Sequence, residues 1–222
     1  MNNLARKTTI GLIQLIIGLG ALLFVPAWTM DFWQARAYVF VFSASVVLIF
    51  VYLYKNDPKL LERRLNRAEK EKNQKRIQLY IFLTYIGAFV LSSLDHRFLW
   101  SDVPFSVVMA GDVLVALGYL IIFIALRENP FAAATIEVTP DHKVISTGPY
   151  AAIRHPMYSG GIVILLGTPL ALGSWWGLLI FIPMIFIMAW RLLDEEEFLS
   201  QGLSGYKEYC QKVRYRLVPF IW

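Results

Sequence analysis

"HPMYSGGIVILLGTPLALGSWWGLLIFIPMIFIMAW", residues 155–190, runs for 36 positions without a Lys, Arg, Asp or Glu. A single helix needs only about 20 apolar residues to cross the hydrocarbon core, so this run is too long for one span. "GTPLALGSWWG" interrupts it: Pro169 removes a backbone donor, and Gly173 and Gly177 loosen a helix. The reading is a helical hairpin over about 159–171 and 174–193, with a short first arm. A single long kinked helix is the competing reading.

Working outward, Thr8–Met30, Ala37–Tyr54 and Ile77–Leu94 carry no ionised side chain, and Val103–Leu126 carries only Asp112. Each fits one membrane helix. The expectation is an all-α, polytopic transmembrane helix bundle of about six membrane segments. Composition agrees: of 222 residues, 57% are hydrophobic and 17% charged, against roughly 25% charged in soluble proteins. The first apolar run is as long as a full span and no A-x-A-like site follows it, so it reads as a membrane helix rather than a cleaved signal.

The net charge of +5 would favour nucleic acid in a soluble protein, but its placement here excludes that partner. Nine of the 21 Lys and Arg lie in Lys55–Arg76 and two precede the first helix, whereas the loops 31–36 and 95–102 hold one each. Alternation of basic and base-poor loops follows the positive-inside rule and predicts both termini in the cytoplasm. The connector 55–76 has Leu60, Leu61, Leu65 and Ala68 near helical spacing among charges, so a surface helix near anionic headgroups of membrane lipids is expected. A lone Cys210 excludes an internal disulfide, and three scattered histidines without a ligand pattern argue against a metal site. Asp112 lies among small residues near one end of its span, where an interhelical hydrogen bond or interface position is weighed above a chemical role.

Chemistry concentrates after residue 126, which divides the chain into N-terminal helices, 1–126, and a region, 127–222, of loop, hairpin and polar tail. The loop 127–158 is rich in turn signals and ends in "GPYAAIRHPMYSG"; long ordered loops are uncommon unless functional. Pro156 restricts His155 and suits the first turn of a helix, whose free amides favour anions. Arg191 is the first charge after the uncharged run, and Glu195 shares its face if the helix continues. Glu196 is turned about 100° away, so the two acids can face different partners. A hairpin brings Tyr158 and Arg191 to one membrane face. An amino-acid-like ligand with a flat base would satisfy both pieces.

The combination R-H-P-x-Y-x-G in "RHPMYSG", an apolar hairpin, and R-x-x-x-E-E-x-x-L in "RLLDEEEFL" resembles the isoprenylcysteine carboxyl methyltransferase family over about residues 127–222. The resemblance implies S-adenosylmethionine as cofactor and a carboxylate on a lipophilic, lipidated acceptor as substrate. It further implies that Val144, Ile145, Tyr150, His155, Pro156, Met157 and Tyr158 contact the cofactor. Glu195, with Glu196 beside it, would bind the cofactor's polar end, and Arg191 would meet the acceptor's carboxylate. Tyr206 and Tyr209 are not matched, because "LSGY" is shorter than the family's usual form. Phospholipid N-methyltransferases are similar at the same positions. That reading stays open, as does a membrane receptor or assembly factor keeping a degenerate cofactor pocket.

Overall fold

A computed structural model describes residues 3–65, 72–135 and 141–222, without the side chains of Lys72 and Phe181. The described residues are helical, with no strand: α1 Asn3–Ala27, α2 Trp33–Asn56, α3 Pro58–Leu65, α4 Lys72–Phe98, α5 Phe105–Glu128, α6 Pro156–Ala171, α7 Phe181–Gly202 and α8 Tyr206–Lys212. Single 3-10 turns, Gly148–Ala151 and Trp176–Ile180, lead towards α6 and α7. Five helices are long and apolar enough to cross a membrane; α6, at 16 residues, is the shorter arm of the hairpin. Large apolar side chains on these helices, Ile17, Phe40, Leu48 and Phe186 among them, lie exposed. Lipid covers such faces in a membrane protein.

The hairpin turn is fastened rather than loose. Asp95, in the last turns of α4, accepts hydrogen bonds from Ser101 Oγ at 2.7 Å and from Ser174 Oγ. The Gly177 amide donates to Ser174 Oγ at 2.9 Å, and the Trp175 amide to Ser101 Oγ at 3.1 Å. Gly173, at φ 69°, supplies the left-handed residue that reverses the chain. One buried carboxylate thus holds the "GSWWG" break against α4.

The hairpin's first arm packs most intimately on α5. A Cβ on Gly118 would lie 2.6 Å from the Gly160 carbonyl oxygen, and one on Gly167 would lie 2.8 Å from that of Gly111. Small residues seven apart on each helix let the two backbones approach closely, as membrane helices need where no hydrophobic force drives them together. Gly118→Val is therefore expected to force α5 from α6 and cost about 1–3 kcal/mol. Thermal aggregation of the purified variant measures this, and an unchanged midpoint would mean that the helices can part freely. The main core beside this seam joins Leu23, Phe32, Tyr38 and Leu172. Asp112 is buried in α5, but neither carboxylate oxygen has a hydrogen-bond partner among the described residues. Of the two expected roles, its burial fits an interface position rather than an interhelical hydrogen bond.

Where it is described, the connector is helical, and its apolar residues face the bundle. Leu60 and Leu61 are buried against Leu53 and Leu126. Arg63 Nη1 donates to the Pro130 carbonyl and Arg64 Nη1 to that of Ala133, at 3.1 and 3.0 Å. So α3 props up the loop after α5 instead of lying free; Ala68 falls outside the described residues. Leu4 packs into the same cluster, placing the start of α1, the connector and the loop after α5 at one end of the bundle.

Candidate active site

The hairpin's two arms run further towards this end than expected. Pro156 occupies the first helical position, where its missing N–H costs nothing, so α6 begins at 156 rather than 159. His155, at φ −127°, is the non-helical residue before it. α7 passes through Arg191 and its acids to Gly202. Arg191 and Glu195 therefore lie one turn apart opposite the first turn of α6. Tyr158 fits between them: its hydroxyl accepts from Arg191 Nε at 2.9 Å and donates to Glu195 Oε2 at 2.6 Å.

Glu196 points another way, as its rotation about α7 requires. Its Oε1 pairs with Arg154 Nη1 at 3.0 Å and His155 Nε2 at 3.1 Å, and its Oε2 with Arg216 Nε at 2.9 Å. The chain after α8 runs back along the R-H-P segment. The Arg154 and His155 amides donate to the Tyr215 and Arg216 carbonyls, both at 2.9 Å. The histidine that begins α6 is thus held by its backbone, by Glu196 and by an edge-on Tyr158 ring 5.6 Å away.

These pieces wall a cavity of about 650 Å³. Val144, Ile145, Tyr150, His155, Pro156, Met157, Tyr158, Arg191 and Glu195 all line it; Glu196 does not. Its far wall is aromatic. Tyr206 and Tyr209 pack with Val144 and Leu203, and the Tyr209 hydroxyl donates to the Tyr150 carbonyl at 2.7 Å. Burial pushes the Tyr150 phenol up to about 12, so it faces the cavity as a neutral group. The Tyr206 hydroxyl and Arg154 Nε are buried on this wall without a hydrogen-bond partner among the described residues.

A second, mostly apolar cavity of about 440 Å³ lies between α4, α6 and α7. Leu165, Met184 and Tyr85 line its depth, while Gln78, Phe82, Tyr158, Met188 and Arg191 border both cavities. Arg191 and Tyr158 stand where a chamber of mixed polar and apolar lining meets an apolar one. Sequence reasoning missed Arg64, Gln78 and Phe82, which bring α3 and α4 into the site. It also missed His142, whose ring stacks on Phe131 at 4.7 Å. Arg64 was legible only as one of nine connector cations, and Gln78 as one polar residue in an apolar helix.

A family model for phospholipid methyltransferase matches residues 106–204, the stretch that supplies α5, the hairpin and the Arg191–Glu196 turn. The chain is 27% identical to a probable protein-S-isoprenylcysteine O-methyltransferase from Oryza sativa subsp. indica over 84% of this chain and 98% of that one. It is 30% identical to a protein-S-isoprenylcysteine O-methyltransferase from Saccharomyces cerevisiae over 60% of each. A Delta(14)-sterol reductase from Mus musculus is 26% identical over 43% of this chain, but the match spans only a quarter of that protein. The match to the rice protein covers most of both chains, and it, the family model and the yeast protein are all methyltransferases. Over the segments that build the cavity, the chain is thus similar to phospholipid methyltransferases and to protein-S-isoprenylcysteine O-methyltransferases.

Proposed function

We propose that this protein transfers a methyl group from S-adenosylmethionine to a carboxylate on a lipophilic, isoprenylcysteine-like acceptor at the cytoplasmic face of its membrane. The observation that carries the proposal is the position of the Arg191–Tyr158–Glu195 chain at the seam between the 650 Å³ and 440 Å³ cavities. The larger cavity fits the cofactor. Its size lies within the roughly 300–1,000 Å³ of small-molecule sites. Its wall offers aromatic faces for a flat base and the Glu195 carboxylate for an ammonium. Buried donors on Arg154 and Tyr206 have no acceptor among the described residues.

When bound, the cofactor supplies an electrophilic sulfonium methyl group. Tyr150, His155, Pro156, Met157 and Tyr158, with Val144 and Ile145, would form the surface that holds it, and Glu195 would neutralise its ammonium. A carboxylate acceptor, with a pKa of about 4, is already ionised at neutral pH and requires no base. What remains is orientation and exclusion of water. Arg191 provides the first, its Nε fixed by the Tyr158 hydroxyl while its guanidinium faces both cavities. The apolar second cavity provides the second by taking the acceptor's hydrocarbon part. Glu196, outside the cavity and held by Arg154, His155 and Arg216, acts by positioning His155 rather than by touching the cofactor.

The matched family model keeps a phospholipid amine as the second acceptor class. Amine methylation must dispose of a proton, and Glu195 is the nearest carboxylate to the seam. Membranes incubated with methyl-labelled cofactor separate the two: base-labile volatile label is a methyl ester, whereas stable label in the lipid fraction is N-methylation. Neither product, with cofactor still bound, would leave a non-catalytic receptor. Glu195→Ala and His155→Ala are both expected to weaken cofactor binding, Glu195→Ala more, since it removes a whole charge. Losing a charge-assisted hydrogen bond costs about 1.5–3 kcal/mol, or roughly 10- to 150-fold in affinity. Calorimetry on folded variants reads this, and wild-type affinity in both would remove the pocket.

A further inference from the structure

The segment after α8 ends in a compact hook. The amides of Arg216, Leu217 and Val218 all donate to the Trp222 carbonyl oxygen, at 2.8, 2.9 and 3.2 Å. The Arg216 guanidinium lies over the Trp222 ring, 5.3 Å from its centre. Phe220 takes φ 68°, a left-handed conformation that a bulky residue adopts only when the surroundings impose it. The result points apolar side chains outward: Phe220 is 87% exposed and Ile221 79%. Polar residues would be expected on a segment that stands in water.

The level of the hook in the bundle explains the choice. α6 has 16 residues, or about 24 Å of helix, against a hydrocarbon core of about 30 Å. Its far end is marked by the exposed Trp175 and Trp176, residues suited to the opposite interface. The first turn of α6 therefore cannot stand proud of the near boundary. Ser159 in that turn donates through Oγ to the Leu217 carbonyl at 2.6 Å, which fixes the hook at the same depth. Exposed cations, Lys212 and Arg214, precede it.

We infer that residues 216–222 form an interfacial lipid-binding hook, with Phe220 and Ile221 seated among the upper acyl chains and Lys212 and Arg214 against anionic headgroups. This does not depend on the proposed reaction. Its consequence for the site is mechanical, because the same segment pairs with the backbone of Arg154 and His155 and carries Arg216 to Glu196. The membrane surface thereby becomes part of what holds the R-H-P turn in place.

Two measurements in nanodiscs containing anionic lipid test it. A nitroxide at Phe220→Cys, in a Cys210→Ser background, is expected to relax faster with oxygen than with a water-soluble nickel chelate, and one at Arg214→Cys the reverse. Preferential relaxation by nickel at position 220 would overturn the hook, and so would spin–spin broadening that vanishes on dilution with unlabelled chain, which would place a second copy there. In the unmodified chain, a photoactivatable phospholipid with its diazirine high on the acyl chain is expected to label the tryptic peptide 217–222. Labelling confined to the spans, with that peptide recovered clean, would also overturn it.

Discussion

Replacing Arg191 with Ala is expected to lower turnover roughly 30- to 150-fold while leaving cofactor affinity nearly unchanged. The figure is the loss of a charge-assisted hydrogen bond in a partly desolvated site, about 2–3 kcal/mol, converted to a rate. Arg191 borders both cavities, so its charge can reach a carboxylate whose hydrocarbon part lies in the apolar one. Arg191→Lys should recover only part of the loss, because a point charge cannot reproduce a planar fork. The geometry adds a control. Arg191 Nε reaches Glu195 through the Tyr158 hydroxyl, so Tyr158→Phe cuts that bridge while keeping both charges. If Arg191 serves the acceptor, Arg191→Ala loses turnover and acceptor saturation but keeps cofactor binding. If it only supports Glu195, Arg191→Ala and Tyr158→Phe lose cofactor affinity together, and the clamp assignment fails.

Much of this arrangement was legible because the membrane leaves strong marks on a sequence. Runs without charge have one solution in hydrocarbon, a helix, since every backbone group must be satisfied internally. Pro169, Gly173 and Gly177 announced the hairpin, and the hairpin alone forces Tyr158 and Arg191 to one end. What stayed hidden depends on packing between distant segments. Nothing local in "ERRL" separates Arg64, which faces the cavity, from Arg63, which lies over Phe131 at 5.8 Å. Gln78 and Phe82 enter the site only because α4 packs beside α7. Glu196 illustrates the same limit from the other side. Its place in an acidic run next to Glu195 invited a shared role, but its three partners come from 20 to 42 positions away. No periodicity within α7 reports them. Asp112 is a third case: its small neighbours fitted either an interhelical hydrogen bond or an interface position, and among the described residues its carboxylate is buried without a partner.

The second large effect expected is on Glu196. Its carboxylate has a side-chain exposure of 11%, between Arg154 at 8% and His155 at 5%, with Arg216 closing the other oxygen. Removing one partner of a buried ion pair costs about 3–5 kcal/mol, chiefly because the remaining charges are left without compensation. In a chain of this size that corresponds to a fall of roughly 6–20 °C in the unfolding midpoint. Glu196→Ala should therefore destabilise the protein more than Glu195→Ala, although Glu195 is the residue facing the cavity. The damage should also be local. Freed from Glu196, Arg216 no longer ties the segment after α8 to α7, so limited proteolysis should cut near Arg214 and Arg216 before the spans unfold. Glu196→Gln keeps the shape and one acceptor oxygen and should restore part of the midpoint. Because Arg154 is held for Glu196, Arg154→Met and Glu196→Leu together should cost less than the sum of each alone. Strict additivity, or a Glu196→Ala midpoint equal to wild type, would show that Arg154 and Arg216 are solvated without the carboxylate. The R-H-P turn would then be held chiefly by its backbone pairs to Tyr215 and Arg216 and by Arg154 Nη2 on the Arg214 carbonyl.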